Sequence, residues 1–339
     1  MSGATTEQAQ RLDLVQTLVA RLRLPWYGSV GVIATMLAAA LGAATLVDYR
    51  GTEGFDWTAW RMTLQIPSII VYILAMYPIV LKTKDRATGA LRRMVPVDKA
   101  STDALMRRLA WPSRGLEMTY ALIGAALAIV LAQPWRGTVG WFNLYLMGTQ
   151  TLMFSLLAML IYHGVRGARY LARLTRNMAL DIFHLDALTS VARWSLTVSL
   201  IFIGGIALSI VFQTIENLLQ WQVAAVYAVL VGTTILIFFM SMWSTHSAIV
   251  AAKRRELALV TDSLNKAWRR MKEQVLGSPG EASGIVYSEL AAWGAYERRV
   301  KEVREWPLSS SILGRLAISV VSPIVVYSVR LLLGWRGGF

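Results

Sequence analysis

The sequence predicts an all-α fold, a polytopic bundle of transmembrane helices. Of its 339 residues, 55% are hydrophobic and 16% are charged, which is too apolar for an ordinary soluble domain. Six nearly uncharged stretches reach or approach the roughly 20 residues that a helix needs to cross about 30 Å of hydrocarbon. Because every backbone polar group in hydrocarbon must be bonded within its own helix or in a closed barrel, helices are the predicted spanning structure.

The six predicted crossings form a bundle over residues 28–248. None of them contains Asp, Glu, Lys or Arg. Proton relays and ion-coupled transporters usually carry a buried ionisable group, so this pattern argues against those mechanisms. The crossings are 28–47, 63–81, 118–133, 141–163, 195–212 and 223–243.

Lys and Arg are concentrated on alternate connections between these crossings. The N-terminal tail, the loops 82–117 and 164–193 and the region 244–311 hold 28 of them, whereas the opposite connections hold three. The positive-inside rule therefore predicts a cytoplasmic N-terminus and a multi-pass protein of the cell inner membrane. Arginine also outnumbers lysine, which is typical of G+C-rich bacterial genomes.

Tryptophans agree with these boundaries, since amphipathic rings prefer the membrane interface. Nine of them fall close to predicted helix ends: Trp26, Trp57, Trp60, Trp111, Trp135, Trp141, Trp194, Trp221 and Trp243.

Residues 1–27 are predicted to form a cytoplasmic amphipathic tail. Its apolar face would lie along the inner membrane surface. The face consists of Leu12, Val15, Leu18, Val19 and Leu22.

A cytoplasmic helical hairpin is predicted over residues 249–306. Apolar positions recur at helical spacing in two segments on either side of the turn "GSPG" at 277–280. The hairpin either packs on itself or offers an apolar coiled-coil seam to another protein or a second copy. The residues of this predicted interaction seam are Leu257, Val260, Leu264, Trp268 and Met271, with Trp293 opposite.

The first hairpin segment, "KRRELALVTDSLNKAWRRMKE" at 253–273, is also strongly basic. Its charges are interpreted as solvated helix faces, with contact to anionic lipid as an added role. Nucleic acid is not an expected partner, because acidic residues are interleaved and no recognition fold accompanies the run.

Residues 307–339 hold a further segment, 312–335, that is apolar except for Arg315 and Arg330 and has Pro323 in its middle. A seventh crossing would place Arg330 near the outer interface, where a long side chain can snorkel. A re-entrant or interfacial segment broken at Pro323 is the alternative.

The ending "REWPLSSSILGRLAISVVSPIVVYSV" and the earlier "LDIFHLDALTSVARWSL" resemble patterns in a group of uncharacterised bacterial polytopic membrane proteins. This resemblance implies architecture and no activity.

Residues that carry chemistry are few. Cysteine is absent, which excludes disulfides and thiolate nucleophiles. The three histidines, His163, His184 and His246, are all predicted on the cytoplasmic side. A metal or haem shared by His163 and His246 is conceivable, but their spacing does not require it. With no P-loop, HExxH, GxSxG or Rossmann pattern, we expect no cofactor, no metal and no enzymatic activity.

The motif "DIFHLDAL" precedes the fifth predicted crossing. A carboxylate beside an imidazole can perform acid-base chemistry, yet the same groups dock loops through hydrogen bonds. We expect docking, with Arg193 pairing with an acid at the entry of the helix. The residues concerned are Asp181, His184, Asp186 and Arg193.

The leading functional hypothesis is an integral membrane scaffold, assembly or signal-relay component that acts through the hairpin. The alternative is a channel or transporter for a neutral or weakly polar solute, with a cavity lined by polar residues of the crossings. Gln150 is the principal candidate, followed by Thr149, Ser155 and Ser199. A membrane enzyme that acts on lipid near the three histidines is a third alternative.

Overall fold

The computed structural model describes residues 14–20, 22–48, 57–92, 114–133, 140–176, 186–214, 217, 220–277, 284–303, 305, 306 and 314. These residues form helices and contain no strand, so the all-α prediction is confirmed. The helices are α1 (Leu14–Ala20), α2 (Trp26–Asp48), α3 (Trp57–Arg92), α4 (Arg114–Ala132), α5 (Trp141–Arg176), α6 (Asp186–Phe212), α7 (Trp221–Gly277) and α8 (Gly284–Glu302).

Helices α2 to α7 are the six in the described part of the chain that are long and apolar enough to cross a membrane. Their outer surfaces carry large apolar side chains, which a soluble protein would bury. Examples, each more than half exposed, are Met36, Leu46, Leu122, Ile123, Leu236 and Phe239. These side chains suit contact with lipid.

Helices α5 and α6 organise the bundle. Helix α5 packs against α2, α3, α4 and α7, and α6 packs against α3 and α7. Helix α6 is the most enclosed of the six. In its most apolar stretch 56% of the residues are buried, against 17–33% in the corresponding stretches of the others. Helix α6 therefore lies at the centre of the bundle, and α5 connects it to the remaining helices.

Glycines allow several of these helices to approach closely. A Cβ at Gly124 of α4 would collide with the Phe154 carbonyl group of α5, and one at Gly167 would lie 2.7 Å from the Trp194 ring. Small residues at such positions are the usual packing device of membrane helices. Trp194 is 1% exposed, so its ring is packed inside the protein, a burial that the interface prediction did not include.

The N-terminal helix α1 docks on the bundle. Val15 and Val19 are buried, and Val15 belongs to the main core. The Glu117 carboxylate of α4 is fully buried and accepts a hydrogen bond from the Leu14 backbone N–H (3.3 Å). His163 Nε2 of α5 lies 3.7 Å from the same carboxylate, so Glu117 connects three helices.

The predicted hairpin is present as a helical pair. Helix α7 runs without a break for 57 residues, about 85 Å at the rise of an α-helix, from the sixth apolar segment into the hairpin. Contacts join Lys253 to Lys301, Glu256 to Tyr296 and Arg270 to Glu289. Because the partner number falls as the α7 number rises, α8 is antiparallel to α7.

Parts of the predicted organisation extend beyond the described residues. The loop 82–117 begins as a helix, since α3 continues to Arg92, but 93–113 is outside the described ranges. The segment 312–335 also lies outside them apart from Gly314. The choice between a crossing and a re-entrant segment stays a prediction.

Candidate binding cavity

A cavity of about 500 Å³ lies between helices α3, α4, α5, α6 and α7. Gln133, which follows the end of α4, lines it, as do Gln213, just after α6, and Gln220, just before α7. The cavity is therefore at the end of the bundle that carries few basic residues in the sequence.

The described residues that line this cavity include no charged side chain. Most of its wall is apolar, formed by residues such as Ile69, Met153 and Phe202. The polar lining residues are Gln65, Tyr72, Gln133, Gln150, Ser209, Gln213, Gln220, Gln222 and Tyr227. Amides and hydroxyls can donate or accept hydrogen bonds without a counter-ion.

Four of the polar residues form a chain of hydrogen bonds that joins three helices. Gln213 Nε2 donates to Gln65 Oε1 (2.7 Å), and Gln65 Nε2 donates to Ser209 Oγ (2.6 Å). The Ser209 and Tyr227 hydroxyl oxygens are 2.7 Å apart. This chain fixes one polar wall of the cavity and holds α3, α6 and α7 in register.

Tyr72 belongs to the same wall because glycines admit its ring. Its hydroxyl donates to the Ile201 carbonyl oxygen on α6 (2.9 Å). A Cβ at Gly204 would collide with that hydroxyl, and one at Gly205 would lie 3.4 Å from the ring. The Gly204–Gly205 pair thus lets α3 approach α6 closely, and this approach shapes the cavity.

The side-chain amide of Gln150, on α5, is a further polar group of the cavity wall. It has no hydrogen-bond partner among the described residues. A water molecule or a ligand with a donor or an acceptor is therefore favoured beside Gln150.

The size and chemistry of the cavity define what it can hold. Small-molecule sites in proteins measure roughly 300–1,000 Å³ and combine apolar walls with a few polar groups. A charged ligand would lose its hydration without meeting an opposite charge on the described wall. The arrangement suits an uncharged molecule with a largely apolar body and a hydrogen-bonding group.

Of the polar residues that the sequence proposes for a cavity, the structure places Gln150 on the wall. The other three serve elsewhere. The Thr149 hydroxyl donates a hydrogen bond to the Tyr145 carbonyl oxygen within α5, and the Ser155 hydroxyl donates one to the Ala121 carbonyl oxygen of α4. Ser199 is buried in α6. Sequence reasoning did not assemble Gln65, Ser209, Gln213 and Tyr227 into one wall, although glutamines recur near the outer helix ends.

The predicted interaction seam lies along the two hairpin helices. Val260 is fully buried, and Leu257, Leu264, Met271 and Trp293 are half-buried. Trp268, by contrast, is 56% exposed, while the adjacent Ala267 is fully buried. Most of the seam is therefore covered within the protein, and Trp268 faces outward.

The predicted loop-docking residues are only partly covered by the structure. Asp181 and His184 lie outside the described residues, and Asp186 begins α6. The Arg193 side chain is exposed.

The two described histidines have separate surroundings. His163 lies beside Glu117 and packs edge-on against Tyr77. His246 Nδ1 is 2.9 Å from the Glu305 carbonyl oxygen, and its ring stacks on Trp306 at 4.2 Å. The described residues contain no group of three or more His, Asp or Glu arranged to hold a metal ion.

Comparison with protein-family models, curated proteins and solved structures finds no match to this chain.

Proposed function

We propose that the protein binds an uncharged, weakly polar solute inside the membrane, as the solute site of a channel or carrier. The observation that carries this proposal is the Gln150 amide, which lines a cavity of about 500 Å³ and has no hydrogen-bond partner among the described residues. A solute with a donor or an acceptor can form a hydrogen bond to this amide.

A second group of polar residues on the cavity wall supports the proposal. Gln65, Ser209 and Tyr227 are already fixed by hydrogen bonds to one another, so they need little ordering when a solute arrives. Pre-organised polar groups improve binding because less side-chain freedom is lost.

Solute flux into proteoliposomes tests this function. The full-length protein is reconstituted, and shrinkage and recovery after a hyperosmotic step are followed by stopped-flow light scattering with propane-1,2-diol, butane-1,4-diol or hexane-1,6-diol. We expect faster recovery than in protein-free liposomes with at least one of these solutes. Gln150→Leu keeps the side-chain volume and removes the amide, so we expect flux to fall about fivefold, which corresponds to roughly 1 kcal/mol.

Thr149→Val is the matched control, because Thr149 precedes Gln150 and its hydroxyl bonds within its own helix. Flux through this variant should stay within about twofold of the wild-type value. Recovery equal to that of empty liposomes with all three solutes would contradict a transport role. Equal flux in the wild type and Gln150→Leu would remove Gln150 from the site.

The location in the cell forms part of the same proposal. The excess of Lys and Arg on alternate connections, 28 against three, supports an inner membrane location with the N-terminus and the hairpin in the cytoplasm. The cavity then opens toward the extracytoplasmic side.

A scaffold or signal-relay role through the hairpin is a second candidate. Trp268 on α7 is 56% exposed, which supports a partner surface on this side of the hairpin. A photoreactive residue in place of Trp268, crosslinked in native membranes, tests it. A single protein adduct or a self-adduct is expected; the absence of any adduct would contradict a scaffold role through this face.

A further inference from the structure

A second open site lies at the other end of the bundle, between α1, the start of α2 and α3. It is a groove of about 660 Å³. Its lining residues are Gln16, Trp26, Pro78, Leu81, Lys82, Asp85, Arg86, Gly89 and Ala90. The groove is separate from the cavity around Gln150, and the two share no lining residue.

Three charged side chains line the groove. Lys82, Asp85 and Arg86 are exposed, and none of them forms an ion pair or hydrogen bond with another residue that the structure describes. Lys82 and Arg86 are one helical turn apart on α3, so their side chains share a face. The groove has a net charge of +1 from these three groups.

These charges lie at the boundary between apolar and polar sequence. Helix α3 is uncharged from Met62 to Leu81, and Lys82 is the first charged residue after that run. A run of this length spans roughly the hydrocarbon thickness, which places Lys82 and Arg86 at the level of lipid headgroups. Basic pockets between transmembrane helices at this level are suited to anionic lipid headgroups.

The walls on the membrane side of the charges are apolar and fixed. The Trp26 indole N–H donates to the Leu74 carbonyl oxygen (2.8 Å), and its ring stacks on Tyr77 at 5.8 Å between centroids. Pro78 and Leu81 continue this apolar surface along α3. A Cβ added at Gly89 meets no atom within 4 Å, so the groove is open beside the charges.

We propose that this groove binds the headgroup of a membrane phospholipid with one net negative charge. Lys82 and Arg86 hold the phosphate oxygens, and Arg86 can do so with two parallel N–H donors. The Asp85 carboxylate accepts a hydrogen bond from a headgroup hydroxyl. The upper part of an acyl chain lies on Pro78 and Leu81.

Native mass spectrometry of the full-length protein tests this site. The protein is extracted from nanodiscs of phosphatidylglycerol or phosphatidylcholine, and retained lipid is counted. We expect preferential retention of phosphatidylglycerol. The double variant Lys82→Gln, Arg86→Gln should lose at least about fivefold of that retention, because each charge near a lipid surface contributes about 1 kcal/mol.

The matched control is Arg169→Gln with Arg173→Gln. These arginines are also exposed and one turn apart, on α5, and they do not line the groove; their replacement should change retention by less than about twofold. Gly89→Leu keeps all three charges but fills the groove, and it should also reduce retention. The variant Lys82→Arg, Arg86→Lys keeps both positive charges and should retain the lipid.

Three outcomes would overturn the proposal. One is equal retention of phosphatidylglycerol and phosphatidylcholine by the wild-type protein. Another is unchanged retention in the double glutamine variant. The third is complete displacement of the lipid by millimolar inorganic phosphate, which would identify the site as one for free phosphate.

Discussion

At the scale of single residues, Trp26 compensates for a proline in a membrane helix. Pro78 lies inside α3 and has no backbone N–H, so the Leu74 carbonyl, four residues earlier, lacks its helical donor. The Trp26 indole N–H supplies that donor from α2 at 2.8 Å. A carbonyl left unbonded in a core without water would cost about 1–3 kcal/mol.

We therefore predict that Trp26→Phe lowers the free energy of unfolding by about 1–3 kcal/mol, because the ring stays while the donor is lost. Chemical denaturation in detergent micelles, followed by circular dichroism, measures this change. Trp243→Phe is the control, since Trp243 is 62% exposed, and it should shift the midpoint little. Equal midpoints for the wild type and Trp26→Phe would show that the carbonyl finds another donor.

The sequence predicts the surroundings of a residue well where the residue type itself restricts them. It predicts them poorly where the packing of neighbouring helices decides which side chains are buried. Gln150 is polar in an apolar run, which identified it as a candidate, and the structure places it on the cavity wall. Trp194 was placed near a helix end, but the sequence did not indicate that neighbouring helices would bury its ring. Glu117 was counted with a loop because the apolar run starts after it; packing with α1 and α5 buries it fully.

At the scale of elements, the hairpin shows how a seam is closed. Val260 of α7 and Val300 of α8 are both fully buried. At the base of the hairpin, Lys253 Nζ donates to the Lys301 and Val303 carbonyl oxygens at 2.9 and 3.0 Å. A cation at the C-terminal end of α8 satisfies carbonyls that have no helical donor. Together these contacts hold α8 on α7.

We predict that Val260→Asp releases α8 from α7. A buried carboxylate without a partner costs several kcal/mol, so amide hydrogen exchange in Gly284–Glu302 should accelerate by at least about tenfold, which corresponds to 1.4 kcal/mol. Hydrogen-deuterium exchange with mass spectrometry measures it. Leu259→Asp, one residue away and 62% exposed in the wild type, should leave the exchange rate unchanged. Unaltered protection in Val260→Asp would contradict a role of the buried Val260 side chain in holding α8 on α7.

The sequence predicted the two hairpin helices because apolar residues recur at spacings of three and four. It did not predict which side of α7 touches α8 at every turn. Trp268 fitted the apolar spacing and was assigned to the seam, yet the small neighbour Ala267 is the fully buried residue. Close helix packing favours a small side chain at the contact, which a search for large apolar residues overlooks.

At the scale of the whole molecule, the number of apolar helices could be predicted and their arrangement could not. Each of the six apolar segments corresponds to a helix of the bundle, because hydrocarbon requires long, uncharged, internally bonded segments. Lipid and neighbouring helices are equally apolar, so hydrophobicity does not indicate which face of a helix meets another helix. The cavity is formed by five helices in a particular arrangement. The sequence therefore did not predict its lining residues other than Gln150.

Photolabelling tests most directly the proposed binding of an uncharged, weakly polar molecule in this cavity. The full-length protein in nanodiscs is irradiated with a diazirine-bearing octanol, and the labelled residues are mapped by mass spectrometry. We predict labelling of cavity-lining residues such as Met153 and Tyr227, with competition by excess octanol and at least about a fivefold decrease in Gln150→Leu. Labelling confined to lipid-facing residues such as Met36, without competition, would contradict the account.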